Sequence, residues 1–393
     1  MKVKSEYPVI TLGKLAEKID YGFSASATDV GDGPKFLRIT DIQDDHVNWL
    51  TVPLCEADKQ DTIKYALAEG DIVFARTGAT TGKSYLIRHC PQNSIFASYL
   101  IRVRPSKDVD SGYLSRFFQT SSYWRQINLN TSGTAQGGVN ATKLKTLLVP
   151  LPPLEEQRRI AAILDKADGV RRKRKEAIRL TEELLKSTFL EMFGDPVTNP
   201  KGWEIAKLGD FGKILTGNTP PRSVSENYGD EIEWIKSDNI TTPEHFLTEA
   251  EEKLSAKGKK IARTVPNGSV LVTCIAGSRS SIGRAALTDR EVAFNQQINA
   301  VVPNSDVDPY FLYGQLFVAQ HLVQAQSTDS MKGMVNKSKF SSIEFIKPPS
   351  QKQQKFGKWF LGFHRYYMNL ISGEEQSENL FNSLLQKAFR GEL

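Results

Sequence analysis

The feature that most constrains how this chain folds is an internal duplication. Segments of the first half recur in the same order in the second half, at offsets of 196 or 198 residues. The matched segments are 36–42 with 234–240, 69–74 with 267–272, 96–114 with 294–312, 139–140 with 335–336, and 152–153 with 348–349. This period is far longer than the roughly 20–50 residues of solenoid repeats. It predicts two whole domains, each followed by its own tail.

Composition narrows the class of protein. A length of 393 residues suits two or more domains, and 39% hydrophobic with 24% charged residues is typical of globular proteins. The formal charge of +6 favours an anionic partner only slightly. Cys55, Cys90 and Cys274 are isolated and odd in number, which argues against a disulfide framework and a CxxC zinc site. Since residues 1–6 lack the apolar run of a signal peptide and no stretch of about 18 apolar residues follows, we expect a cytoplasmic protein without a membrane partner.

Each repeat mixes strand and helix patterns. Residues 70–75 and 268–273 are predicted to be buried strands entered through a glycine turn. Residues 111–128 and 309–324 carry apolar residues at helical spacing, after aspartates suited to capping a helix. We therefore predict an α+β fold with two duplicated domains of mixed sheet and helix, 1–150 and 196–346.

The tails, residues 151–195 and 347–393, are predicted to be long helices. Residues 155–193 contain no proline, and apolar residues recur three and four positions apart in both tails. The predicted packing positions are Ile160, Ile163, Ala167, Val170 and Leu184 in the first tail, and Phe356, Phe360, Phe363, Leu370, Phe381 and Leu384 in the second. A helix of about 38 residues is ~57 Å long and cannot bury such a stripe alone. We expect the helices to pair as an antiparallel coiled coil, with a pseudo-twofold axis relating the domains.

A glycine-bearing segment occurs at the same place in both repeats. Residues 76–84 (RTGATTGKS) resemble a phosphate-binding loop, but the glycine spacing is one residue short. The residues that follow favour a strand, whereas a phosphate loop must open a helix. A hairpin rich in hydroxyl and basic side chains suits DNA phosphates and base edges, although an ordinary solvated hairpin has the same composition. The candidate DNA contacts are Arg76, Thr80, Thr81 and Lys83, and, in segment 278–284 (SRSSIGR), Ser278, Arg279, Ser280 and Arg284.

Five further polar residues are candidates for DNA contact. Arg38 and Lys236 end equivalent strands, where a surface ion pair is nearly as good an explanation. Gln136 and Lys332 lie in polar loops before the matched Val-Asn pair, and a plain domain-exit turn would have the same composition. Gln296, with its neighbour Gln297, can read adenine edges through its amide, the alternative being an ordinary surface residue.

Sequence motifs for catalysis are missing. The Pro-Pro steps follow Leu151, Thr219 and Lys347, so none matches the Asp/Asn/Ser-Pro-Pro-aromatic motif of amino-group methylases, and no GxGxxG loop occurs. The five histidines are scattered without metal-ligand spacing. We therefore expect a protein that is not an enzyme on its own and has no metal site.

Several motifs resemble those of the specificity subunits of type I restriction-modification systems. They are LPPLEEQRRIAAILDKAD at 151–168, FGDPVTNPKGWEIAKLGD at 193–210, SIGR at 281–284 and LLQKAFRGEL at 384–393. The resemblance implies that 1–150 and 196–346 are target recognition domains, each reading one half of a bipartite site in double-stranded DNA. It also implies that 151–195 and 347–393 are helical spacers that set the gap and dock other subunits.

The resemblance further implies partners that carry the chemistry. Two modification (methyltransferase) subunits would bind S-adenosylmethionine and methylate adenine N6. Two ATP-driven restriction subunits would join them in systems that also cleave DNA. S-adenosylmethionine, ATP and Mg²⁺ then belong to the partners, and no cofactor is expected in this chain. The alternative is a stand-alone, two-domain sequence-specific DNA-binding regulator.

The second tail departs from the first in two respects. Aligning Leu184 with Leu384 makes the second tail four residues longer, which is about one helical turn. Residues 359–367 also contain more aromatic side chains than one helix stripe needs, which suggests an apolar patch for another protein. We therefore expect imperfect symmetry between the two docking surfaces.

Overall fold

The computed structural model describes residues 6–131 (side chains to 128), 138–240, 244–328 and 333–393. The chain forms two compact units. Unit 1 comprises residues 1–173 and 375–393, and unit 2 comprises residues 174–374. Each unit combines one repeat with part of both tails. The domain bounds predicted from the sequence separate the tails from the repeats, and that division stays a prediction.

Unit 1 consists of short strands with helices beside them. Its strands are β1 (Val9–Thr11), β2 (Ala16–Tyr21), β3 (Ala27–Thr28), β4 (Lys35–Leu37), β5 (Ile42–Gln43), β6 (His46–Val47), β7 (Leu54–Cys55), β8 (Ile72–Ala75), β9 (Ser84–Leu86), β10 (Ser94–Phe96), β11 (Leu100–Pro105) and β12 (Leu148–Pro150). Its helices are α1 (Leu12–Leu15), α2 (Lys59–Lys64), α3 (Ser111–Phe117), α4 (Ser121–Thr131) and α5 (Ala141–Lys145). The long first-tail helix, α6 (Leu154–Phe193), begins in this unit.

Unit 2 repeats this composition. Its strands are β13 (Ile205–Lys207), β14 (Gly212–Thr216), β15 (Tyr228–Ile235), β16 (Lys253–Leu254), β17 (Thr264–Val265), β18 (Val270–Thr273), β19 (Ile275–Ala276), β20 (Ala285–Leu287), β21 (Val292–Phe294), β22 (Ile298–Pro303), β23 (Gly333–Met334) and β24 (Glu344–Ile346). Its helices are α7 (Leu208–Phe211), α8 (Ala256–Ile261), α9 (Pro309–Val318), α10 (Gln320–Ala325) and α11 (Lys337–Ser341). The long second-tail helix, α12 (Ser350–Arg390), begins here.

The two units share one sheet topology. The main antiparallel sheet has the order β2-β11-β8-β9 in unit 1 and β14-β22-β18-β20 in unit 2. These strands correspond one to one along the duplicated sequence. A second sheet in each unit contains a parallel pair, β4 with β10 and β15 with β21. The structure therefore confirms the duplication and the α+β class.

Local sequence signals explain where these elements begin. Gly70 and Gly268 have φ angles of +89° and +83°, a left-handed conformation that glycine adopts without strain. The strands that follow them, β8 and β18, are buried at all four positions. Asp110 caps α3 by accepting from a backbone N–H at 2.8 Å, and Asp308 caps α9 through two such bonds at 3.0 Å. The predicted strands and caps are thus present.

A buried glutamine attaches each long helix to its repeat. Gln157 Oε1 accepts from the backbone N–H of Asp110 at 2.8 Å, and its Nε2 donates to a proline carbonyl five residues earlier at 2.9 Å. Gln353 makes the equivalent bonds, at 3.0 Å with Asp308 and at 2.7 Å with a proline carbonyl. Because both side chains are 1% exposed, their hydrogen bonds are needed to offset burial. They fix the start of each helix against the cap of a neighbouring helix.

The two long helices pack antiparallel within each unit. In unit 1, Arg159 Nη2 donates to the carbonyl of Leu393 just beyond α12, while Arg171 donates to Glu378. Contacts of unit 2 follow the same direction; they join Lys175 with Glu374 (3.9 Å) and Tyr367 Oη with Glu182 Oε1 (2.8 Å). Later residues of α6 therefore contact earlier residues of α12, as expected of an antiparallel pair.

The stripe buried between the helices differs in part from the predicted one. Ile160, Phe356, Phe360, Phe363 and Phe381 are at most 7% exposed, and Ile163, Ala167, Leu370 and Leu384 are half-buried. Val170 and Leu184 are 49% and 52% exposed, so placing them in the packing stripe is wrong. The buried stripe passes instead through Asp168, Thr181 and Leu185. The reason is geometric, because an α-helix with 3.6 residues per turn drifts by about 20° per strict seven-residue repeat.

The additional turn expected in the second tail is absent from the described helices. Phe193 and Phe389 follow the two buried glutamines by the same number of residues. Their rings pack on equivalent aromatic side chains of α9 and α3, with centroid distances of 4.8 Å to Phe311 and 4.9 Å to Tyr113. The tails therefore correspond at one offset throughout, and the leucine pairing that implied an insertion is wrong.

The aromatic side chains of the second tail mostly pack inside unit 2. Phe360, Phe363 and Tyr367 surround the imidazole of His245, with ring centroids 4.9–6.1 Å apart. Burial, with a smaller contribution from a neighbouring histidine, lowers the pKa of His245 to about 3, so its imidazole is neutral near pH 7. These three aromatic residues therefore do not form an exposed patch. Tyr366, by contrast, is 59% exposed.

The corrected stripe can be tested with two neighbouring leucines. Leu185 is fully buried, so Leu185→Ala is expected to lower the free energy of unfolding by about 2–5 kcal/mol. Leu184→Ala, at a position that is 52% exposed, is expected to change it by less than about 0.5 kcal/mol. Urea denaturation of the two variants measures both values. Equal losses would contradict the assignment of Leu185 rather than Leu184 to the core.

Candidate nucleic-acid interface

The glycine-bearing segment of unit 1 is the turn of an antiparallel hairpin. Strands β8 and β9 pair in register, and the turn is closed by Gly82 N–H donating to Ala75 O and Ala75 N–H donating to Lys83 O, both at 2.9 Å. Gly82 has a φ of +83°. The residues after Lys83 form strand β9 rather than a helix, so the loop does not open a helix. The geometry of a phosphate-binding loop is therefore not formed here, as the sequence predicted.

Unit 2 carries the same hairpin with a longer turn. Gly283 N–H donates to Thr273 O at 2.8 Å, and Thr273 N–H donates to Arg284 O at 2.9 Å. Gly283 has a φ of +78°, like its counterpart. A 3₁₀ turn at Arg279–Ser281 accommodates the additional residues. The Gly-Lys and Gly-Arg pairs recognised in the sequence thus occupy the same structural position.

A helix holds the base of each hairpin through polar side chains that the sequence pattern does not single out. In unit 1, Tyr123 Oη on α4 donates to Gly82 O at 2.5 Å. In unit 2, Gln320 Nε2 on α10 donates to Ile282 O at 2.8 Å, and Gln324 Nε2 donates to Arg279 O at 3.2 Å. Their helical spacing gave no signal, because tyrosine and glutamine on a helix face are ordinary surface or core residues. The hairpins therefore have fixed bases below their exposed tips.

The basic side chains at the tips are not neutralised. Arg76, Lys83 and Arg279 are exposed and make no ion pair with any residue that the structure describes. The guanidinium of Arg76 lies 5.0 Å from the ring centroid of Tyr21, which leaves its charge intact. Arg284 Nε donates to the carbonyl of Ser280 at 3.3 Å, and Arg284 forms no ion pair within the described ranges. Each hairpin thus presents unpaired positive charge, which is what attraction to a phosphate backbone requires.

The hydroxyl candidates mainly shape the turns. Thr81 Oγ1 donates to Gly78 O at 2.7 Å, and the Ser278 hydroxyl is 2.7 Å from that of Ser280. Thr80 contributes its backbone carbonyl, which accepts from Lys83 N–H at 2.9 Å. These residues lie at the hairpin tips, and their contact with DNA stays a prediction.

Arg38 and Lys236 both form ion pairs. Arg38 makes a bidentate contact with Asp41, with Nη2 to Oδ1 at 2.8 Å. Lys236 Nζ lies 2.6 Å from Glu252 Oε2, and a hydrogen bond from Arg222 together with one from Lys236 lowers the pKa of the Glu252 carboxyl despite its partial burial. Both residues therefore form the surface ion pair that was the alternative explanation to DNA contact. Contact with DNA would require these pairs to be shared or broken.

The remaining predicted positions are Gln296, Gln136 and Lys332. Gln296 is exposed, and its side-chain oxygen accepts from the hydroxyl of Thr219. Gln136 and Lys332 lie outside the described residues. Within the described ranges no group of three or more His, Cys, Asp or Glu side chains is arranged to hold a metal ion. None of the helices formed by those residues combines the length and hydrophobicity of a membrane span.

Comparison with known protein families identifies the family to which this chain belongs. Residues 5–180 and 200–376 both match the family described as type I restriction modification DNA specificity domain, and together they make up most of the chain. The chain belongs to this specificity-domain family. Its two matched regions contain the two repeats and the two hairpins, so the resemblance seen in the sequence motifs is confirmed.

Proteins similar to this chain are named as specificity subunits of type I restriction enzymes. The chain is 31% identical over 200 residues to the type I restriction enzyme HindI specificity subunit of Haemophilus influenzae, which covers 49% of this chain and 42% of that protein. It is 23% identical over 383 residues to the putative type I restriction enzyme MjaX specificity subunit of Methanocaldococcus jannaschii, covering 91% and 86%. The alignment thus spans less than half of the first relative and most of the second.

Solved structures of the specificity family share the fold. The S subunit of a type I restriction-modification system from M. genitalium superposes with a TM-score of 0.61 at 14% identity, covering 99% of this chain and 98% of the other. A chain from a structural study of complex assembly and conformational transition of the type I R-M system gives a TM-score of 0.57 at 19% identity, with complete coverage of both. At such low identity these similarities establish the fold alone.

Proposed function

We propose that this chain is the DNA sequence-recognition subunit of a type I restriction-modification complex and reads a bipartite site. The observation that carries the proposal is the presence of two specificity domains in one chain, each with a hairpin that has a fixed base and an unpaired basic tip. One domain per half-site accounts for the duplication. The names of the relatives, which are specificity subunits of restriction enzymes, support the same role.

Contacts of two kinds are expected at each hairpin. Arg76, Lys83, Arg279 and Arg284 supply charge for the phosphate backbone, which gives affinity and register but carries no base information. Hydroxyl and amide groups near the tips supply hydrogen bonds to base edges in the major groove, where the four base pairs are distinguishable. Because the base of each hairpin is fixed by helix side chains, little ordering is required when DNA binds.

The catalytic steps are assigned to other subunits. In this proposal two methyltransferase subunits bind S-adenosylmethionine and methylate adenine N6, and ATP- and Mg²⁺-dependent restriction subunits join them in systems that cleave. The chain itself is non-catalytic and supplies target choice. The paired helices α6 and α12 hold the gap between half-sites and dock the partners. This division agrees with the absence of methylase motifs from the sequence.

Selection of DNA from a random pool tests the proposal. The chain, purified with the methyltransferase encoded beside its gene, is expected to enrich duplexes with two blocks of fixed bases separated by a gap of fixed length. A single contiguous block would contradict the bipartite reading. Equal selectivity and affinity of the chain without any partner would instead identify a stand-alone DNA-binding regulator.

A further inference from the structure

An open cleft lies beside the hairpin of unit 2. Its volume is about 470 Å³, and its lining includes Ser237, Asp238, Ala276, Gly277, Ser281 and Gln297. These residues come from a 3₁₀ turn at Ser237–Asn239, from the hairpin, and from the residue just before β22. The hairpin segment that lines the cleft also carries Arg279, one of the unpaired basic residues. The cleft is therefore adjacent to the surface proposed to meet DNA.

Asp238 is the residue of the 3₁₀ turn that is free to contact a ligand. The capping bond of the turn is made by its neighbour, since Asn239 Oδ1 accepts from the backbone N–H of Lys236 at 3.0 Å. Asp238 itself is exposed, and its carboxylate makes no hydrogen bond or ion pair with any residue that the structure describes. An ionised carboxylate is a hydrogen-bond acceptor only. The cleft thus contains one strong, unused acceptor.

A second lining residue supplies a donor. Gln297 Oε1 accepts from Asn295 Nδ2 at 3.2 Å, and the backbone N–H of Gln297 donates to Asn295 Oδ1 at 3.0 Å. The amide NH₂ of Gln297 is the side-chain group that remains for a ligand. The cleft therefore offers an acceptor and a donor within one lining.

The charges around the cleft indicate which part of DNA the carboxylate meets. Arg279 and Arg284 attract phosphates, whereas a carboxylate repels them and lowers non-specific affinity. Base edges differ, because adenine N6 and cytosine N4 are exocyclic amino groups that donate hydrogen bonds in the major groove. Adenine also presents N7, an acceptor, beside its amino group. An acceptor paired with a donor is complementary to that edge.

We infer that Asp238 determines specificity by accepting a hydrogen bond from the exocyclic amino group of an adenine or cytosine in the half-site read by unit 2. With adenine, Gln297 donates to N7; with cytosine, Asp238 acts alone. Thymine or guanine at this position places an oxygen against the carboxylate, which leaves a desolvated charge unpaired and costs binding. This inference rests on the proposed function and adds a residue and a base chemistry to it.

Unit 1 has different chemistry at the equivalent positions. There Asp41 makes the capping bond to the backbone N–H of Arg38 at 2.8 Å, and the residue equivalent to Asp238 is Thr40. The residue equivalent to Gln297 is Tyr99, which is 66% exposed. A hydroxyl and an aromatic ring replace the carboxylate and the amide. The two units therefore present different groups at these positions, and the base preference assigned to Asp238 applies to the half-site of unit 2.

The test compares the wild-type chain with Asp238→Ala and with Glu251→Gln, each purified with the methyltransferase subunit. Glu251 is exposed and is not part of the cleft lining, so its variant removes one carboxylate charge elsewhere on unit 2. The methylated motif of each chain is mapped, and binding is measured for duplexes carrying each base pair at every motif position. Asp238 is exposed and unpaired, so thermal unfolding of Asp238→Ala is expected to match the wild type.

The expected result is loss of selectivity at one position of one half-site. Asp238→Ala should lower the preference for the amino-bearing base by about ten- to a hundredfold, while affinity for non-cognate DNA stays the same or rises. Glu251→Gln should keep the wild-type motif. An unchanged motif in Asp238→Ala, or an equal loss of affinity for all duplexes, would overturn the inference and leave the proposed function intact. A wild-type chain that directs no bipartite motif would overturn both.

Discussion

Asp168→Asn is expected to destabilise unit 1 by about 3 kcal/mol, because it leaves buried arginine charge without its partner. Asp168 is 2% exposed and accepts from three guanidinium groups: Arg116 at 3.0 Å, Arg171 at 2.7 Å and Arg172 at 3.1 Å. Arg116, from α3, is itself 2% exposed. An asparagine amide cannot balance these charges and brings N–H donors against N–H donors. The estimate is at the low end for a broken buried pair, since Arg116 keeps a contact with Asp165 at 2.6 Å.

The contribution of Asp168 is also expected to depend on pH. Burial raises the pKa of its carboxyl, but the charges of Arg116, Arg172 and Arg171 outweigh burial, so the pKa in the folded chain lies below its ordinary value. A carboxyl whose pKa is lower in the folded than in the unfolded chain stabilises the folded state. This stabilisation is complete above the pKa of the unfolded chain, near 4, and is lost as the pH falls through the pKa of the folded chain. The stability difference between wild type and Asp168→Asn should therefore shrink as the pH is lowered below about 4.

Glu155→Gln is a matched control on the same helix. Glu155 pairs with Arg158 at 2.8 Å, but its side chain is 87% exposed, so loss of this pair is expected to have little effect. Native-state hydrogen exchange of the amides of α3 and the first half of α6 measures the stability of unit 1 directly. If Asp168→Asn exchanges no faster than Glu155→Gln, the buried network does not hold α3 against α6.

The quadruple variant Arg76→Ala/Lys83→Ala/Arg279→Ala/Arg284→Ala is expected to lower DNA affinity by about a thousandfold near 0.15 M salt. Each phosphate contact releases a counterion, so removing four should also reduce the slope of log affinity against log salt by about 3–4. The effect should be similar for cognate and non-cognate duplexes, because phosphates are present in both. Binding measured as a function of salt, with the chain in complex with a methyltransferase subunit, gives both quantities.

A charge-matched variant separates local contact from net charge. Lys14, Lys107, Lys213 and Lys260 are exposed and lie outside both hairpins and both long helices, and replacing them with alanine removes the same total charge. Its salt slope is expected to stay close to that of the wild type. Unchanged DNA affinity in the hairpin variant would show that the hairpins do not contact DNA. Equal losses of affinity in both variants would show that the hairpins act only through the net charge of the chain.

Much of the fold could be predicted because the duplication supplied a second copy of each signal. Gly70 with Gly268 and Asp110 with Asp308 are local signals, since a positive φ and a helix cap depend on few neighbours. The two hairpin turns could be predicted because a Gly-basic pair occurs at the same place in both repeats. The predicted helix at 111–128 is divided in two, α3 and α4, by a short turn at 118–120 that the apolar spacing does not reveal.

What the sequence did not reveal depends on tertiary contacts. Apolar residues three and four positions apart suggested Val170 and Leu184, whereas the buried stripe includes polar Asp168, because Arg116 of α3 and Arg171 of the same helix neutralise its carboxylate. At the corresponding position of the second tail stands His364, and there aromatic side chains replace the ion pairs. Asp238 likewise has no sequence signature, since its importance comes from the cleft that the hairpin and the 3₁₀ turn form together.

Whether this chain directs DNA modification is measured by mapping N6-methyladenine in cells that express a methyltransferase encoded beside this gene, with and without this chain. Sequence recognition by this chain predicts a new bipartite methylated motif that is absent when the chain is omitted. If the chain and an active methyltransferase form a stable complex and yet no new motif arises, the chain does not direct modification and acts instead as a stand-alone DNA-binding protein.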